Sequence, residues 1–151
     1  IYIGPSGVGK TTHAKKMELK GGVRLNRDDI REAILGVLPA NYYSGFRYKN
    51  SVEKQVTKVI EDSYGLPFIL LDNTNLYGYV GLENTLTRLG YETTYVIFEQ
   101  PPLKVLEERV KKRSGWNTDY IKRHLEQYKG IENYLRLHNK DILYIYQNTY
   151  Y

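Results

Sequence analysis

The stretch at residues 1–11, which reads IYIGPSGVGKT, decides the fold of this 151-residue chain. A short apolar piece runs into the spacing G-x-x-x-x-G-K-T, and the pattern that follows predicts a helix. Glycines in such a loop let backbone N–H groups turn inward around an anion, while the helix N-terminus contributes partial positive charge. The stretch therefore predicts a phosphate-binding loop between a strand and a helix.

The side chains of this loop suit a nucleoside triphosphate with Mg²⁺. Lys10 can reach the β- and γ-phosphates, and the hydroxyl of Thr11 can ligate the metal. A Gly-rich turn that only caps a helix is the structural alternative, but the flanking strand and helix favour ATP or GTP, with ATP as the expected donor. The residues expected to contact the nucleotide are Gly4, Ser6, Gly7, Val8, Gly9, Lys10, Thr11 and Thr12.

Outward from the loop, strands and helices alternate along the chain. The predicted strands are residues 1–3, 23–25, 67–72, 91–98 and 142–146, and helices are predicted between them, the clearest at 50–64, 79–89, 102–113 and 118–138. This order predicts an α/β fold with a doubly wound, mostly parallel sheet and helices on both faces, formed by residues 1–151 as one domain. In such folds ligands bind beyond the carboxyl ends of the strands.

Composition sets the limits of the functional interpretation. The sequence contains 22 Lys and Arg against 17 Asp and Glu, a formal net charge of +5, and no Cys. A disulfide scaffold and a Cys-ligated zinc module are therefore excluded. No apolar run approaches the roughly 20 residues of a membrane span, so we expect a cytoplasmic protein with no membrane partner. The mild positive charge permits nucleic acid as a partner but is weak support for it by itself.

Residues 26–31, NRDDIR, follow the second predicted strand on the side where the γ-phosphate is expected. Asn26 has the chemistry of a helix N-cap. Phosphoryl transfer to a hydroxyl needs a base that orients the acceptor and cations for the charge on the transferring group. Asp28 and Arg31 are three residues apart, so on a helix they share a face, whereas Asp29 points elsewhere. Asp28 and Arg31 are the candidate pair; stabilisation of the helix N-terminus is the alternative role of both acids.

The phosphate loop followed at this distance by N-R-D-D-x-x-R resembles the polynucleotide 5′-hydroxyl kinases, in particular the kinase module of the phage-type kinase-phosphatase. The resemblance implies that Asp28 is the general base for the 5′-hydroxyl and that Arg31 contacts the 3′-phosphate of the acceptor. It also implies a nucleic acid end as the substrate and, for a phage-encoded chain, the host cytoplasm. The phosphatase motif D-x-D-G-T of the larger members is absent, so only the kinase half is expected.

A third block, DNTN at residues 72–75, ends the most apolar predicted strand. Phage-type members place the acid directly before Thr-Asn, whereas D-N-T-N is similar to the animal-type enzymes, so either Asp72 or Asn73 takes the role of the family acid. A carboxylate that ends a buried strand beside a phosphate loop can hold Mg²⁺ or its water shell, and we favour Asp72 as that ligand. The alternative is an Asp that only caps a turn.

A fourth block, RVKKR at residues 109–113, lies at the end of the helix predicted at residues 102–113. Lys111 and Lys112 each follow a glutamate by four residues, so ion pairs with these glutamates explain the two lysines. Arg109 and Arg113 share a face and repel each other unless an anion lies between them. We expect them to form an arginine lid on the nucleotide phosphates, a role worth about 10³ or more in rate where it is measured. A solvated basic face is the alternative; by resemblance, Arg113 is the catalytic member.

The donor site is better defined by the sequence than the acceptor. The leading hypothesis is an ATP-dependent kinase of polynucleotide 5′-hydroxyl ends. Four basic residues could follow the acceptor backbone: Arg47, Lys49, Lys54 and Lys58. Aromatic residues around two loops, at 42–48 and 77–79, could stack on its bases. A solvated helix face equally explains Lys54 and Lys58, and simple packing is the alternative role of the aromatics. The alternatives are a kinase of the same family that acts on a hydroxymethylated base, a nucleoside or another metabolite, and a nucleotide-binding switch without kinase activity.

Overall fold

A computed structural model describes residues 1–5, 7–35, 49–73, 75–76, 78–114 and 118–146. Strands and helices alternate along these residues. The strands are β1 (Tyr2–Ile3), β2 (Val23–Leu25), β3 (Ile69–Leu71), β4 (Tyr95–Phe98) and β5 (Ile142–Ile145). The helices are α1 (Lys10–Glu18), α2 (Arg27–Leu35), α3 (Lys49–Asp62), α4 (Tyr79–Arg88), α5 (Leu103–Ser114) and α6 (Tyr120–Leu137). The predicted α/β class is confirmed.

The strands lie parallel in every pairing that the structure describes. One sheet has the order β1-β4-β5, with Tyr2 beside Val96 and Val96 beside Leu143. A second sheet pairs β2 with β3, with Leu25 beside Leu71. Because parallel strands end at the same edge of a sheet, the loops that follow β2 and β3 meet at one place, and so do those that follow β1 and β4.

Alternate strand residues point into two separate apolar cores, as expected for a sheet covered on both faces. Ile3, Leu71 and Ile97 join one core, while their chain neighbours Tyr2 and Leu70 join the other. The first core is completed by α3, α4 and the second half of α6, and the second core by α1, α5 and the start of α6. The prediction of helices on both faces is therefore confirmed. Among the described residues, no helix is both long enough and apolar enough to cross a membrane.

The strand predicted at residues 91–98 is shorter in the structure, where β4 begins at Tyr95. Tyr91 instead closes the end of α4, because its backbone N–H donates to the carbonyl of Leu86 at 2.9 Å. Its hydroxyl reaches across to the carbonyl of Ile60 in α3. Pairing begins where Tyr95 meets Ile142 of β5. An aromatic residue with strand propensity is thus used to terminate a helix and to brace α3.

Candidate active site

The predicted phosphate loop lies between β1 and α1. Gly7 and Gly9 have φ values of 82° and 105°, conformations that glycine adopts without the steric penalty of a side chain. Lys10, the first residue of α1, is only 8% exposed. Its Nζ donates to the carbonyls of Gly4 at 2.9 Å and Pro5 at 2.6 Å, so the ammonium is held across the loop. Ser6, which was also predicted to contact nucleotide, lies outside the described residues.

Helix α5 packs directly against this loop. A Cβ placed on Gly7 would lie 3.2 Å from Val110 Cγ2 and 3.4 Å from the carbonyl oxygen of Leu106, so a side chain here would crowd the helix. Arg109 Nη1 donates to the Gly7 carbonyl at 3.2 Å, which places one predicted lid arginine at the loop. The side chain of Arg113 lies outside the described part of the structure.

The ion pairs predicted for the two lysines of α5 were wrong. Glu107 and Glu108 are the residues one turn before Lys111 and Lys112, but within the described residues neither pair comes within ion-pair distance. Both lysines are exposed, and freely rotating side chains gain little from such a surface pair. The lysines are therefore a solvated face of α5.

Helix α2 carries the predicted acid and arginine. Asn26 caps the helix, since its Oδ1 accepts from the backbone N–H groups of Asp28 at 2.8 Å and Asp29 at 3.1 Å. Arg31 Nη1 donates to Asp28 Oδ1 at 2.8 Å, which confirms that the two side chains share a face. The side chain of Asp28 is 46% exposed, so the carboxylate is open to a substrate. Asp29 turns the other way and pairs with Arg24.

Asp72 follows β3 and is almost completely buried, with 1% of its surface exposed. Its Oδ2 accepts from Arg24 Nε at 2.7 Å. Its backbone is also fixed, because its N–H donates to the carbonyl of Leu25 and its carbonyl accepts from Asn26 Nδ2. Its Oδ1 is buried and has no hydrogen-bond partner among the described residues. A buried carboxylate oxygen without a donor is costly, so the site is suited to a cation or an ordered water.

The asparagines of the DNTN block have structural roles. Asn73 Oδ1 accepts from the backbone N–H of Arg27 at 3.1 Å and so helps to cap α2. Asn75 takes the left-handed conformation, with φ 50°, and is buried. Its Nδ2 donates to the carbonyl of Tyr2 at 2.8 Å and of Leu71 at 3.0 Å. One side-chain amide therefore connects β1, which leads into the phosphate loop, with β3, which leads into Asp72.

Burial and the charges of the site shift the pKa values of nearby aromatic side chains. Burial, together with the smaller effect of the carboxylate of Asp72, raises the pKa of Tyr2 to about 12. The Tyr2 hydroxyl lies 2.6 Å from His13 Nδ1 in α1. Burial lowers the pKa of His124 in α6, with the charges of Arg123 and Lys10 acting in the same direction. Asp72 therefore influences a group on β1, and Lys10 influences a group on α6.

Two residues near the site belong to none of the sequence motifs. His124 is half-buried, and its ring lies 5.0 Å from that of Tyr120. Arg24 lies outside every motif, although it contacts both Asp72 and Asp29. The available signal was a charged residue inside a strand of a parallel sheet, where apolar residues are the rule and a buried charge needs a partner.

The residues proposed for acceptor binding are only partly described. Arg47 and the aromatics at residues 42–48 lie outside the described residues. Lys54 and Lys58 line a shallow groove on α3, but Glu53 and Glu61 line it as well. Lys58 also pairs with Asp62 at 3.0 Å, and that hydrogen bond raises the pKa of the lysine. The described face of α3 is thus mixed in charge rather than basic.

The loop between β1 and α1, with charged side chains at the ends of the adjacent parallel strands, defines a nucleotide-binding domain of the P-loop class with a kinase-like fold. The family model described as "AAA domain" matches residues 1–137, and the chain belongs to this family. Among solved structures it is similar to a gluconokinase from Sinorhizobium meliloti 1021, with a TM-score of 0.56 and 15% identity over 98% of this chain and 81% of that one. No curated protein matches the sequence.

Proposed function

We propose that the chain is an ATP-dependent kinase that transfers the γ-phosphate to the 5′-hydroxyl of a polynucleotide end. The observation that carries this proposal is the contact between Asp28 and Arg31, with Nη1 and Oδ1 2.8 Å apart on the helix that follows β2. A carboxylate and a guanidinium at this place supply a base for a hydroxyl and a cation for a neighbouring phosphate. A nucleotide-binding switch needs neither.

In the proposed reaction, backbone N–H groups of the loop and the ammonium of Lys10 bind the triphosphate. Asp28 accepts the proton of the acceptor hydroxyl, while the hydroxyl oxygen forms a bond to the γ-phosphorus. The bond from that phosphorus to the β,γ-bridging oxygen breaks, and ADP leaves with the electron pair. Arg31 holds the 3′-phosphate of the acceptor, and Arg109 and Arg113 neutralise charge on the transferring group.

The residues present fit a magnesium ion bound with the nucleotide. Asp72 offers the buried Oδ1 described above, and Thr11 in the first turn of α1 offers a hydroxyl. Mg²⁺ is usually held by one or two protein oxygens together with phosphates and waters, so a larger cluster of acids is not required. Asn73 is already engaged with α2, which supports Asp72 as the acid of this block. When bound, the ion would neutralise charge on the phosphates.

A kinase of small molecules is the second candidate, and it shares the same donor site. It is favoured by one finding, the similarity in fold to a protein named gluconokinase. The decisive experiment incubates the protein with labelled ATP and Mg²⁺ against a 5′-hydroxyl oligonucleotide, a duplex that contains hydroxymethyluracil, free nucleosides and gluconate. We expect the oligonucleotide to be labelled best. Label on gluconate or nucleosides alone supports the second candidate, and ATP hydrolysis without transfer supports a switch.

Substituting Arg31 tests the nature of the acceptor. Arg31→Ala is expected to raise the acceptor KM for 3′-phosphorylated nucleotides by about tenfold, the value of one charge-assisted hydrogen bond, and to leave ATP affinity unchanged. It should also reduce the slope of acceptor KM against salt by about one counterion. Arg136→Ala, which removes an exposed arginine of α6, is the control. Good activity on plain nucleosides at high salt would contradict the polynucleotide hypothesis.

A comparison of neighbouring cations on α5 tests the arginine lid. Arg113→Ala is expected to lower kcat by about 10³ with a much smaller effect on ATP affinity, because a lid arginine acts mainly on charge in the transition state. Lys112→Ala, on the solvated face of the same helix, should change neither. Steady-state kinetics of both variants provide the check. Small and equal effects would mean that residues 109–113 are only a basic surface.

A further inference from the structure

Arg24 is a charged residue in the middle of β2, between Val23 and Leu25. Its side chain is only 11% exposed. Burying a guanidinium without partners is strongly unfavourable, so its contacts are the reason that the strand tolerates it. Those contacts are two carboxylates, one at the end of β3 and one in the first turn of α2.

The guanidinium divides its donors between these two acids. Nε donates to Asp72 Oδ2 at 2.7 Å and Nη1 donates to Asp29 Oδ2 at 2.5 Å. Asp72 is therefore held through one oxygen instead of by a bidentate pair. The backbone N–H and carbonyl of Asp72 are also held by Leu25 and Asn26. The side chain therefore has one defined orientation, in which Oδ1 has no hydrogen-bond partner among the described residues.

The charges of the three residues explain why two acids are present. Arg24 and Asp72 alone would sum to zero, and a neutral pair attracts a divalent cation weakly. Asp29 restores a net charge of −1 to the group. The field at the remaining oxygen of Asp72 is then that of a carboxylate whose geometry is fixed but whose charge is not cancelled.

We propose that Arg24 and Asp29 are positioning residues for the magnesium site: Arg24 presents Asp72 Oδ1 as a single, fixed oxygen ligand, and Asp29 offsets the charge of Arg24. The inference rests on the nucleotide-binding half of the proposed function and assigns Asp29, which was expected to be a helix-terminus residue, a second task. Outer residues of this kind tune the affinity of a metal without touching it.

The test measures nucleotide binding in the absence of any acceptor. Calorimetry with a non-hydrolysable ATP analogue is done once with Mg²⁺ and once with EDTA, and the ratio of the two affinities gives the contribution of the metal. Arg24→Lys keeps a positive charge but lacks the planar fork that spans two carboxylates. We expect the contribution of the metal to fall about tenfold or more, with affinity in EDTA unchanged. Arg136→Lys should leave both values at those of the unmodified chain.

Asp29→Asn tests the charge argument separately. It leaves Arg24 and Asp72 paired, so we expect the contribution of the metal to fall only about two- to fivefold, and the loss to shrink at high salt because Asp29 faces solvent. Asp62→Asn is a matched control, since Asp62 is 60% exposed against 59% for Asp29 and also pairs with a cation. It should not change the response to Mg²⁺.

The outcomes separate this inference from the proposed kinase activity. An unchanged metal contribution in both Arg24→Lys and Asp29→Asn would overturn it and leave Arg24 a purely structural residue. If Arg24→Lys does not fold, a normal Mg²⁺ response in folded Asp29→Asn overturns the charge argument. Failure to phosphorylate a polynucleotide affects neither measurement, because no acceptor is present.

Discussion

Lys10→Ala is expected to lower phosphate transfer at least about a hundredfold, because removing one preorganised charged donor from a transition state has effects of this size or more. Lys10 is the buried cation of the phosphate loop. Its loss removes the only flexible positive side chain that the G-x-x-x-x-G-K-T pattern provides at the β- and γ-phosphates. Initial rates with labelled ATP and a saturating 5′-hydroxyl oligonucleotide measure the effect.

Two controls separate chemistry from stability in this experiment. The ammonium also donates to the carbonyls of Gly4 and Pro5, so alanine removes contacts within the loop as well as charge. Lys10→Met keeps the length of the side chain and should be as inactive as Lys10→Ala, with a melting temperature closer to that of the unmodified chain. Lys16→Ala, on the exposed side of α1, should be fully active. Normal turnover by a folded Lys10 variant would remove the donor-site assignment.

Asp28→Asn is expected to reduce transfer to the acceptor by about 10²–10⁴, the usual contribution of a general base. The amide oxygen can still accept from Arg31, so the local structure is retained while the ability to take a proton is lost. ATP affinity should hardly change, since the base acts on the hydroxyl and not on the nucleotide. Single-turnover rates measured beside ATP binding distinguish the two quantities.

Asp29→Asn is the internal control for the same helix turn. At saturating Mg²⁺ it should transfer phosphate at nearly the rate of the unmodified chain, because Asp29 contacts Arg24 rather than the open face of α2. If Asp29→Asn lost the chemical step and Asp28→Asn did not, the base would have been assigned to the wrong acid.

Much of the fold can be predicted from local sequence patterns. The phosphate loop, the Asn26 cap and the alternation of strands with helices are all encoded within short windows, and the structure has them where they were predicted. The start of β4 was wrong because Tyr91 is drawn to α3 and α4 by contacts distant in sequence. The periodicity of a sequence reflects only neighbouring residues. It therefore does not predict that a residue with strand propensity, such as Tyr91, makes tertiary contacts outside a strand.

The candidate site was predictable to the extent that its residues belong to spaced motifs. Asp28 and Arg31 meet as their spacing requires, and their catalytic roles stay predictions. Arg24 was missed because it lies in a strand while its partners belong to other elements: Asp29 is in α2, and Asp72, 48 positions away, follows β3. His124 belongs to no spaced motif, and its half-buried position depends on how the start of α6 packs in the second core. Contacts between elements carry the information in both cases, and no single window of sequence contains it.

The link that Asn75 makes between Tyr2 and Leu71 has a consequence for distances in the proposed reaction. The strand that leads to the donor phosphates and the strands that lead to the acceptor residues belong to different sheets. The amide of Asn75 ties β1 to β3, and in the proposed reaction their separation would set the distance from the attacking oxygen to the phosphorus. Because a misplacement of about 1 Å can slow a reaction about a hundredfold, the reach between donor and acceptor depends on a side chain that touches neither.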